Sequence, residues 1–377
     1  MRLRVLYIVW ANQPWHFFEW ICRLLPARNY SLAFLLMHAG ESPLAPVLRE
    51  AGVPFRHIRF RGRHDLARAA CEVRRFCREE RFDVVHAHFV NSCLAGLAGS
   101  LLAGMPIRVQ TRHHSSHHRL SHRKLWEIPF DAINNSLSTC VIAPCENVRR
   151  KLVEEGVPES STTLIHHGYD LARFRSVPPE RVERLRERYG IPAGRPTIGV
   201  LSRFIRPKGV DHVVEAFRGL LRTHPEARLI LANASGLWAD EVRRRLARLP
   251  AGSYLEIPFE PDIFALYRLF DVYVFVPVGP SVEGFGQTYV EALAAGVPSI
   301  FTKAGVAHEI IRHRENAWVV DYENAGQIEA GMRALLDDTA LRERLIRGGR
   351  ETVDPEFDIA LHVERLDLLY RRLVHAA

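Results

Sequence analysis

Short apolar runs alternate with longer stretches of mixed polarity from one end of the chain to the other. The apolar runs are rich in Val, Ile, Leu and Phe and bounded by turn residues, which predicts buried strands. The stretches between them space their apolar positions three and four apart, which predicts crossover helices, and the alternation as a whole is that of parallel sheets covered by helices. In the first half the predicted strands are Leu3–Trp10, Ser31–Met37, Phe55–Phe60, Asp83–His88, Ile107–Arg112, Thr139–Ala143 and Thr163–His166. Helices are predicted over Leu44–Ala51, Asp65–Glu80, Ser92–Ala103 and Glu146–Glu155. The last of these is stopped by Gly156-Val-Pro158, with glycine after the final turn and proline just beyond it.

The alternation then breaks. Ser176-Val-Pro-Pro-Glu180 and Ile191-Pro-Ala-Gly-Arg-Pro196 bracket a charged helix of low apolar content, which reads as a connection between domains. Strands resume at Thr197–Leu201, Arg228–Ala232, Ser253–Ile257, Asp271–Val276, Ser299–Thr302 and Ala317–Val320, and Asp358–Ala377 reads as one amphipathic helix. Ligands of open α/β sheets lie at the carboxyl ends of strands. His113, Arg203 and Glu283 all fall just past such ends, so the expectation is a cleft enzyme built from two α/β domains.

Composition changes this picture little. A chain of 377 residues fits two domains or three. The six cysteines lie in the first half without C-x-x-C spacing and read as thiols of a reducing compartment. The run Cys93–Ile107 is too short and too rich in small residues to span a bilayer. The basic start ahead of Val5–Trp10 lacks a cleavage site and reads as a first strand rather than a signal peptide. A cytoplasmic location is expected.

Charge is more informative. Residues 1–168 hold 22 Lys and Arg against 14 Asp and Glu, whereas residues 169–377 hold 29 of each, so the whole formal excess of +8 lies in the first half. Either helices such as Arg68–Arg81 carry a solvated basic face, or the first domain meets an anionic membrane surface or acidic substrate. No aromatic-interleaved basic motif or zinc-finger spacing accompanies the charge, which argues against nucleic acid.

The most informative stretch is Ser281-Val-Glu-Gly-Phe-Gly-Gln-Thr-Tyr-Val-Glu291. Glu283 precedes a Gly284-Phe285-Gly286 turn, and Glu291 falls inside the helix that follows. A turn of this kind exposes free N–H groups at a helix start and suits an anion such as a diphosphate. The two carboxylates would repel phosphate, but they suit a ligand that carries hydroxyls beside its phosphates, as a nucleotide sugar does. Upstream, Leu201-Ser-Arg203-Phe-Ile-Arg-Pro-Lys208-Gly209 supplies two cations at another strand-to-helix junction. Lysine is a minority choice in this arginine-rich chain, and its compact charge suits a phosphate. Arg203 would add a charge-assisted contact. The structural alternatives are a surface lysine and arginine, a helix-capping Glu283 and a solvated Glu291. Gly284-x-Gly286 alone is half of a dinucleotide fingerprint; Tyr289 stands where the third glycine would be. The cluster Thr111-Arg-His-His-Ser-Ser-His-His118, with His122 nearby, has no cysteine or acid at ligand spacing and matches no zinc pattern.

Together these segments resemble the retaining glycosyltransferases of the GT-B fold, family 4, with their Glu-x7-Glu motif (here Glu283 and Glu291) and diphosphate-binding Arg and Lys (here Arg203 and Lys208). Weaker matches run along most of the chain: Asp83-Val-Val-His-Ala-His88, Ile165-His-His-Gly168-Tyr-Asp170 with Arg173-Phe174, and Asp271-Val-Tyr-Val-Phe. The resemblance implies two Rossmann-like domains facing across a cleft. The acceptor domain spans 1–168, with 358–377 returning to pack on it, and the donor domain spans 169–357. It further implies transfer of a hexose from a nucleotide sugar, UDP-sugars being the family's commoner donors, to a hydroxyl of a glycan or lipid-linked acceptor, with retention and without a metal or other cofactor. In that scheme Glu283 meets the donor sugar's hydroxyls, the N–H groups of Gly284, Phe285 and Gly286 approach sugar and diphosphate, Glu291 holds the ribose, and His113 approaches donor sugar and acceptor. A location on the inner face of the membrane and a role in polysaccharide or glycolipid assembly go with it.

Several positions depart from the family pattern. The loop Trp10–His16 lacks the usual glycine-rich turn, Val306 replaces a second glycine after Gly305, His167 replaces an asparagine before Gly168, and Pro277–Ser281 is long. Two other readings stay open on sequence alone: a nucleotide-sugar epimerase of the same fold, and a non-catalytic binder of nucleotide sugars or glycans.

Overall fold

The computed structural model describes residues 2–10, 15–115 and 128–377. Four residues of the first loop, Ala11–Pro14, and the histidines His117, His118 and His122 lie outside them. The chain forms two compact units, one from the residues up to 169 together with 359–377, the other from 170–358.

In the first unit the chain runs β1 (Leu3–Val9), α1 (His16–Leu24), β2 (Tyr30–His38), α2 (Ala45–Glu50), β3 (Phe55–Arg59), α3 (Leu66–Glu80), β4 (Val84–His88), α4 (Val90–Leu102), β5 (Arg108–Thr111), α5 (Ile128–Leu137), β6 (Cys140–Ala143), α6 (Glu146–Glu154) and β7 (Thr162–Leu164). The seven strands pair in the order β3-β2-β1-β4-β5-β6-β7, and every pairing is parallel. All seven predicted strands are present. Their near-continuous apolar runs are those of strands covered on both faces. β1 and β4 are almost wholly buried, and Leu6, Ile8, Leu35, Val73, Val85 and Leu97 form the core beneath α3 and α4.

The second unit runs α7 (Leu171–Arg175), α8 (Pro179–Tyr189), β8 (Thr197–Leu201), α9 (Val210–Leu220), β9 (Arg228–Ala232), α10 (Ala239–Leu246), β10 (Tyr254–Ile257), α11 (Ile263–Tyr267), β11 (Val272–Phe275), α12 (Gln287–Ala295), β12 (Ser299–Phe301), α13 (Ala307–Ile310), β13 (Trp318–Val319), α14 (Ala325–Asp337) and α15 (Thr339–Val353). Its six strands pair in the order β10-β9-β8-β11-β12-β13, again all parallel. The charged helix read from sequence as a connection is α8. It is fastened to this unit: Arg181 grips Asp262 at 2.5 and 3.0 Å, and the Tyr189 hydroxyl donates to Glu260 at 2.6 Å.

Each sheet reverses its strand order at one place, between β1 and β4 and between β8 and β11. Both junctions are tied by the same device at the amino ends of the strands. Asp83, just before β4, accepts the Arg4 N–H at 2.7 Å. Asp271, just before β11, accepts the Thr197 N–H at 2.7 Å and its hydroxyl at 2.9 Å. At the carboxyl ends, connections leave toward opposite sides and a crevice opens, which is where such sheets bind ligands.

The final helix, α16 (Ile359–Ala376), belongs to the first unit. Its Tyr370 hydroxyl lies 2.6 Å from His86 Nδ1 and 3.0 Å from the Tyr7 hydroxyl, all three groups buried. Tyr30 donates to Asp367 at 2.7 Å, and His362 Nδ1 donates to the His166 carbonyl at 2.6 Å. A buried polar group left without a partner costs about 1–3 kcal/mol. Tyr370→Phe strands His86 Nδ1 and the Tyr7 hydroxyl, so it is expected to lower stability by about that amount; the urea midpoint of the variant measures it.

Candidate active site

The crevice of the second unit is built from two loops. The first follows β8. There Ser202 N–H bonds the Ala232 carbonyl, Phe204 is buried, and Arg206–Lys208 make one tight turn. Gly209 closes that turn at φ +66°, where a Cβ would collide with the Val276 carbonyl oxygen. Only glycine permits both the left-handed backbone and this approach. The second loop follows β11. It is pinned to the first by the Val278 N–H on the Pro207 carbonyl at 3.0 Å, and to the next strand by the Thr302 hydroxyl on the Pro277 carbonyl at 2.7 Å. The long Pro277–Ser281 segment is thereby held against its neighbours.

These loops bring Lys208 and Glu283 into direct contact. The Lys208 ammonium donates to Glu283 Oε1 at 2.7 Å, with the lysine side chain 18% and the glutamate side chain 10% exposed. Lys208 Nζ also lies 4.9 Å from the centre of the Phe275 ring. A backbone cradle supports the acid. The Val306 N–H bonds the Phe285 carbonyl at 2.9 Å, and Gly305 packs so closely that a Cβ would strike that carbonyl and come within 3.1 Å of Glu283 Cβ. Gly286 is the N-cap of α12, and no side chain caps it. The first N–H groups of a helix have no intrahelical acceptor, so the start of α12 presents donors beside the Lys208–Glu283 pair.

Glu291 sits in the second turn of α12 and is buried. The Tyr267 hydroxyl donates to its Oε2 at 2.9 Å. Burial pushes the carboxyl up to about 7, and the Tyr267 hydrogen bond offsets this only in part. The solvated-face alternative for Glu291 is therefore excluded. Arg203 stands on the same loop as Lys208, exposed, and makes no ion pair among the described residues. Lys208, Glu283, Gly284, Phe285 and Gly286 are thus assembled around one crevice, with Glu291 on the helix that leaves it and Arg203 on its loop with a free side chain.

His113 belongs to the first unit, just beyond β5. Its Nε2 lies 3.0 Å from His88 Nδ1. Its ring stacks on Phe89 at 4.6 Å and on His167 at 5.3 Å, the latter nearly parallel at 8°. Burial, with a smaller contribution from the His114 charge, drives His113 down to about 3. His362 falls to about 4, and His86, His88 and His167 fall well below the usual imidazole range, in each case chiefly by burial. These five rings are neutral at pH 7. His113 Nδ1 and His88 Nε2 are buried without a hydrogen-bond partner among the described residues. His86 and His88 are core residues, as their strand-end position allowed. Among the described residues no three His, Cys, Asp or Glu side chains are arranged to hold a metal ion.

Three of these contacts do not show in the sequence. Tyr267 carries no motif of its own, and the Lys208–Glu283 contact joins residues 75 positions apart. His167 was marked only as a departure from an asparagine, yet it supplies the ring on which His113 stacks.

The chain matches the family model described as glycosyl transferases group 1 over residues 181–352 and the model described as glycosyltransferase family 4 over residues 19–173. A relative from Mycobacterium tuberculosis, named GDP-mannose-dependent alpha-(1-6)-phosphatidylinositol monomannoside mannosyltransferase, is 31% identical over 210 residues, 53% of each chain. The match thus spans about half the length of that curated relative. The D-inositol 3-phosphate glycosyltransferase of Pseudarthrobacter chlorophenolicus is 27% identical over 74% of this chain and 68% of its own. Among solved structures, Anabaena HepE in complex with UDP-glucose superposes with a TM-score of 0.84 at 18% identity, covering 98% of this chain and all of that one. Sucrose-phosphate synthase from Thermosynechococcus elongatus gives 0.79 at 18% identity over the whole of both chains. At such identities the structures speak for the fold alone.

The two acid–base environments predict opposite pH responses. For the histidines the folded state holds pKa values below the ordinary 6.5, so the unfolded chain binds the extra protons. The first unit is therefore expected to keep full stability above pH 6.5 and to lose it as pH falls from there toward 4. Glu291 is raised, so its contribution to the second unit is present at low pH and fades as pH rises through about 7. Hydrogen exchange of peptides from β4 and from α12, followed between pH 4.5 and 8, checks both signs separately.

Proposed function

The chain belongs to the group 1, family 4 glycosyltransferases of the GT-B fold, and from that membership we propose that it transfers a hexose from a nucleotide diphosphate sugar to a hydroxyl of a glycan or glycolipid, with retention at the anomeric carbon. The observation that carries this reading is the Lys208–Glu283 pair at the switch point of the second sheet, beside the uncapped start of α12.

The two charges satisfy each other directly. A mostly buried ion pair is strongly unfavourable to break by deleting one member, because the other is left uncompensated. A nucleotide sugar offers each member a replacement, phosphate oxygens for Lys208 and sugar hydroxyls for Glu283. Binding then exchanges one pairing for two without stranding a charge. Arg203, unpaired on the same loop, adds a second cation to the diphosphate, and the N–H groups of Gly284, Phe285 and Gly286 complete the anion's surroundings. Glu291 receives the ribose hydroxyls. Its pKa near 7 lets it accept or donate, and Tyr267 keeps one oxygen occupied.

In the transfer step the acceptor oxygen forms a bond to the anomeric carbon on the face from which the diphosphate departs. The bond from that carbon to the phosphate oxygen breaks, and the acceptor's proton passes to the departing oxygen. The protein's contribution is electrostatic stabilisation of the negative charge that develops on the diphosphate. His113, neutral, supplies a hydrogen-bonding ring to the sugar and acceptor rather than a charge. No metal ion is assigned a role.

For the donor, a UDP-sugar is the sequence-based expectation, and relatives named as GDP-mannose-dependent make GDP-mannose the second candidate. For location, we assign the cytoplasmic side of a membrane, reached through the first unit's basic excess. Among the described residues no helix is long and apolar enough to cross a bilayer. Part of the basic face of α3 is self-neutralised, Arg75 on Glu79 at 3.0 Å and Arg68 on Glu72 at 2.5 Å, so the membrane contact is weaker than the formal charge suggests.

Lys208→Ala is expected to lower donor turnover by on the order of a hundred- to thousandfold with circular dichroism unchanged, the range for loss of one transition-state donor. Assays across UDP- and GDP-sugars measure it, and wild-type turnover in that variant would sink the proposal. A chelator is expected to leave the wild-type rate unchanged. Turnover of the donor without any acceptor, giving an altered sugar rather than free sugar, would transfer the site to an epimerase.

A further inference from the structure

The second unit holds another basic site at the opposite end of its sheet. Where the candidate active site gathers at the carboxyl ends of β8 and β11, a cavity of about 500 Å³ opens at the amino ends of β8, β11 and β12. Four arginines line it: Arg186 from α8, Arg195 just before β8, Arg268 just before β11, and Arg342 from α15. The acid that lines it is Asp271, and that carboxylate is already engaged by the Thr197 N–H and hydroxyl.

Among the described residues these four arginines face one cavity without a short-range ion pair. Several other guanidinium groups of this unit are neutralised at short range, as in Arg181–Asp262 at 2.5 Å, Arg245–Glu241 at 2.8 Å and Arg333–Glu329 at 2.6 Å. Around the cavity the nearest pairing is Arg186 with Glu183 at 4.0 Å. Arg268 spends one nitrogen on the Ala295 carbonyl at 3.0 Å, and Arg342 bonds the Leu335 and Leu336 carbonyls at 2.8 and 2.6 Å. Carbonyls orient these groups but leave their charge in place. Arg195 is exposed and has no ion pair among the described residues. Beside the cavity, Arg350 packs against Gly296, which lines it, and is itself pushed down by burial and by the charges of Arg268 and Arg175. Its Nε is buried without a hydrogen-bond partner among the described residues. The residues from 169 onward carry no formal excess, so a cavity whose rim sums to about +3 is a local concentration of charge and not a reflection of the whole.

We propose that this cavity is a second ligand site, for a small soluble anion bearing two or more negative charges of the phosphate type. Guanidinium forks match phosphate oxygens two at a time, and the volume lies within the usual range for small-molecule sites. The lining is too polar for an apolar ligand. Tyr267 also lines the cavity, and its hydroxyl is the one that donates to Glu291, so this side chain touches both the cavity and a residue of the candidate active site.

The probe is inorganic pyrophosphate, titrated calorimetrically into the full chain. It is expected to fill two classes of site, one at Lys208 and one in the cavity. Lys208→Ala should remove the first and keep the second. Arg186→Ser with Arg195→Ser should weaken the second by at least about tenfold and leave the first. Neither arginine anchors the fold, and Arg195→Glu alone provides a second route to the same loss. Orthophosphate run in parallel should bind the cavity more weakly than pyrophosphate if two phosphate groups are read. Pyrophosphate binding abolished by Lys208→Ala and untouched by the arginine changes would overturn the proposal, as would a single class of site that survives the arginine changes.

Discussion

A carboxylate that accepts a backbone N–H across the switch point is made twice in this protein, and the rest of the architecture is arranged around it. Asp83 ties β4 to the first residues of β1, and Asp271 ties β11 to the start of β8. A charge-assisted bond of this kind is shorter and stronger than the neutral bonds of the ladder. It is placed where the ladder most needs it, because strands 1 and 4 of each sheet are neighbours in space but come from distant stretches of chain. With their amino ends locked together, their carboxyl ends diverge into connections that run to opposite sides. The crevice at those ends follows from topology, and in the second unit Lys208 and Glu283 meet inside it.

The two units solve their electrostatics differently. The first carries the chain's whole formal excess of charge; it buries one close ion pair, Arg112 with Asp131 at 3.1 Å, and beside it a cluster of imidazoles held neutral, stacked on one another and on Tyr7, Phe17 and Phe89. Each such ring adds polar atoms to the interior without adding an ion, and the cost of burying an ion is far higher than that of burying a hydrogen-bonded neutral group. The second unit balances its charges overall but distributes them unevenly. A paired lysine and glutamate occupy one end of the sheet, and unpaired arginines the other.

Much of this was legible in sequence. All the strands of both sheets are readable because parallel strands buried on two faces are short apolar runs, and turn residues bound them. The motif residues of the second unit fell at strand ends for the same reason. Helix α1 was not read. Its sequence, His-Phe-Phe-Glu-Trp-Ile-Cys-Arg-Leu, segregates apolar and polar positions, but its nine residues are fewer than the stretch over which a helical period stands out. Helix α8 was read correctly as a helix but taken for a connection, because its contacts with Asp262 and Glu260 lie more than 70 residues away. Distance along the chain also hid Tyr267 behind Glu291 and the pairing of Lys208 with Glu283. Local pattern reveals which residues end a strand; only the order of strands in the sheet reveals which of those ends are neighbours.

The seat of α16 imposes an order on assembly at the ribosome. The imidazole of His86 and the phenol of Tyr7 are exposed to the nascent chain's surroundings until Tyr370 emerges, some 280 residues after His86, and by then the whole intervening unit has been synthesised. The half of the protein translated first is therefore the half finished last. In the interval its sheet carries an uncovered groove the length of a helix, which makes the early-made domain the natural client of a chaperone.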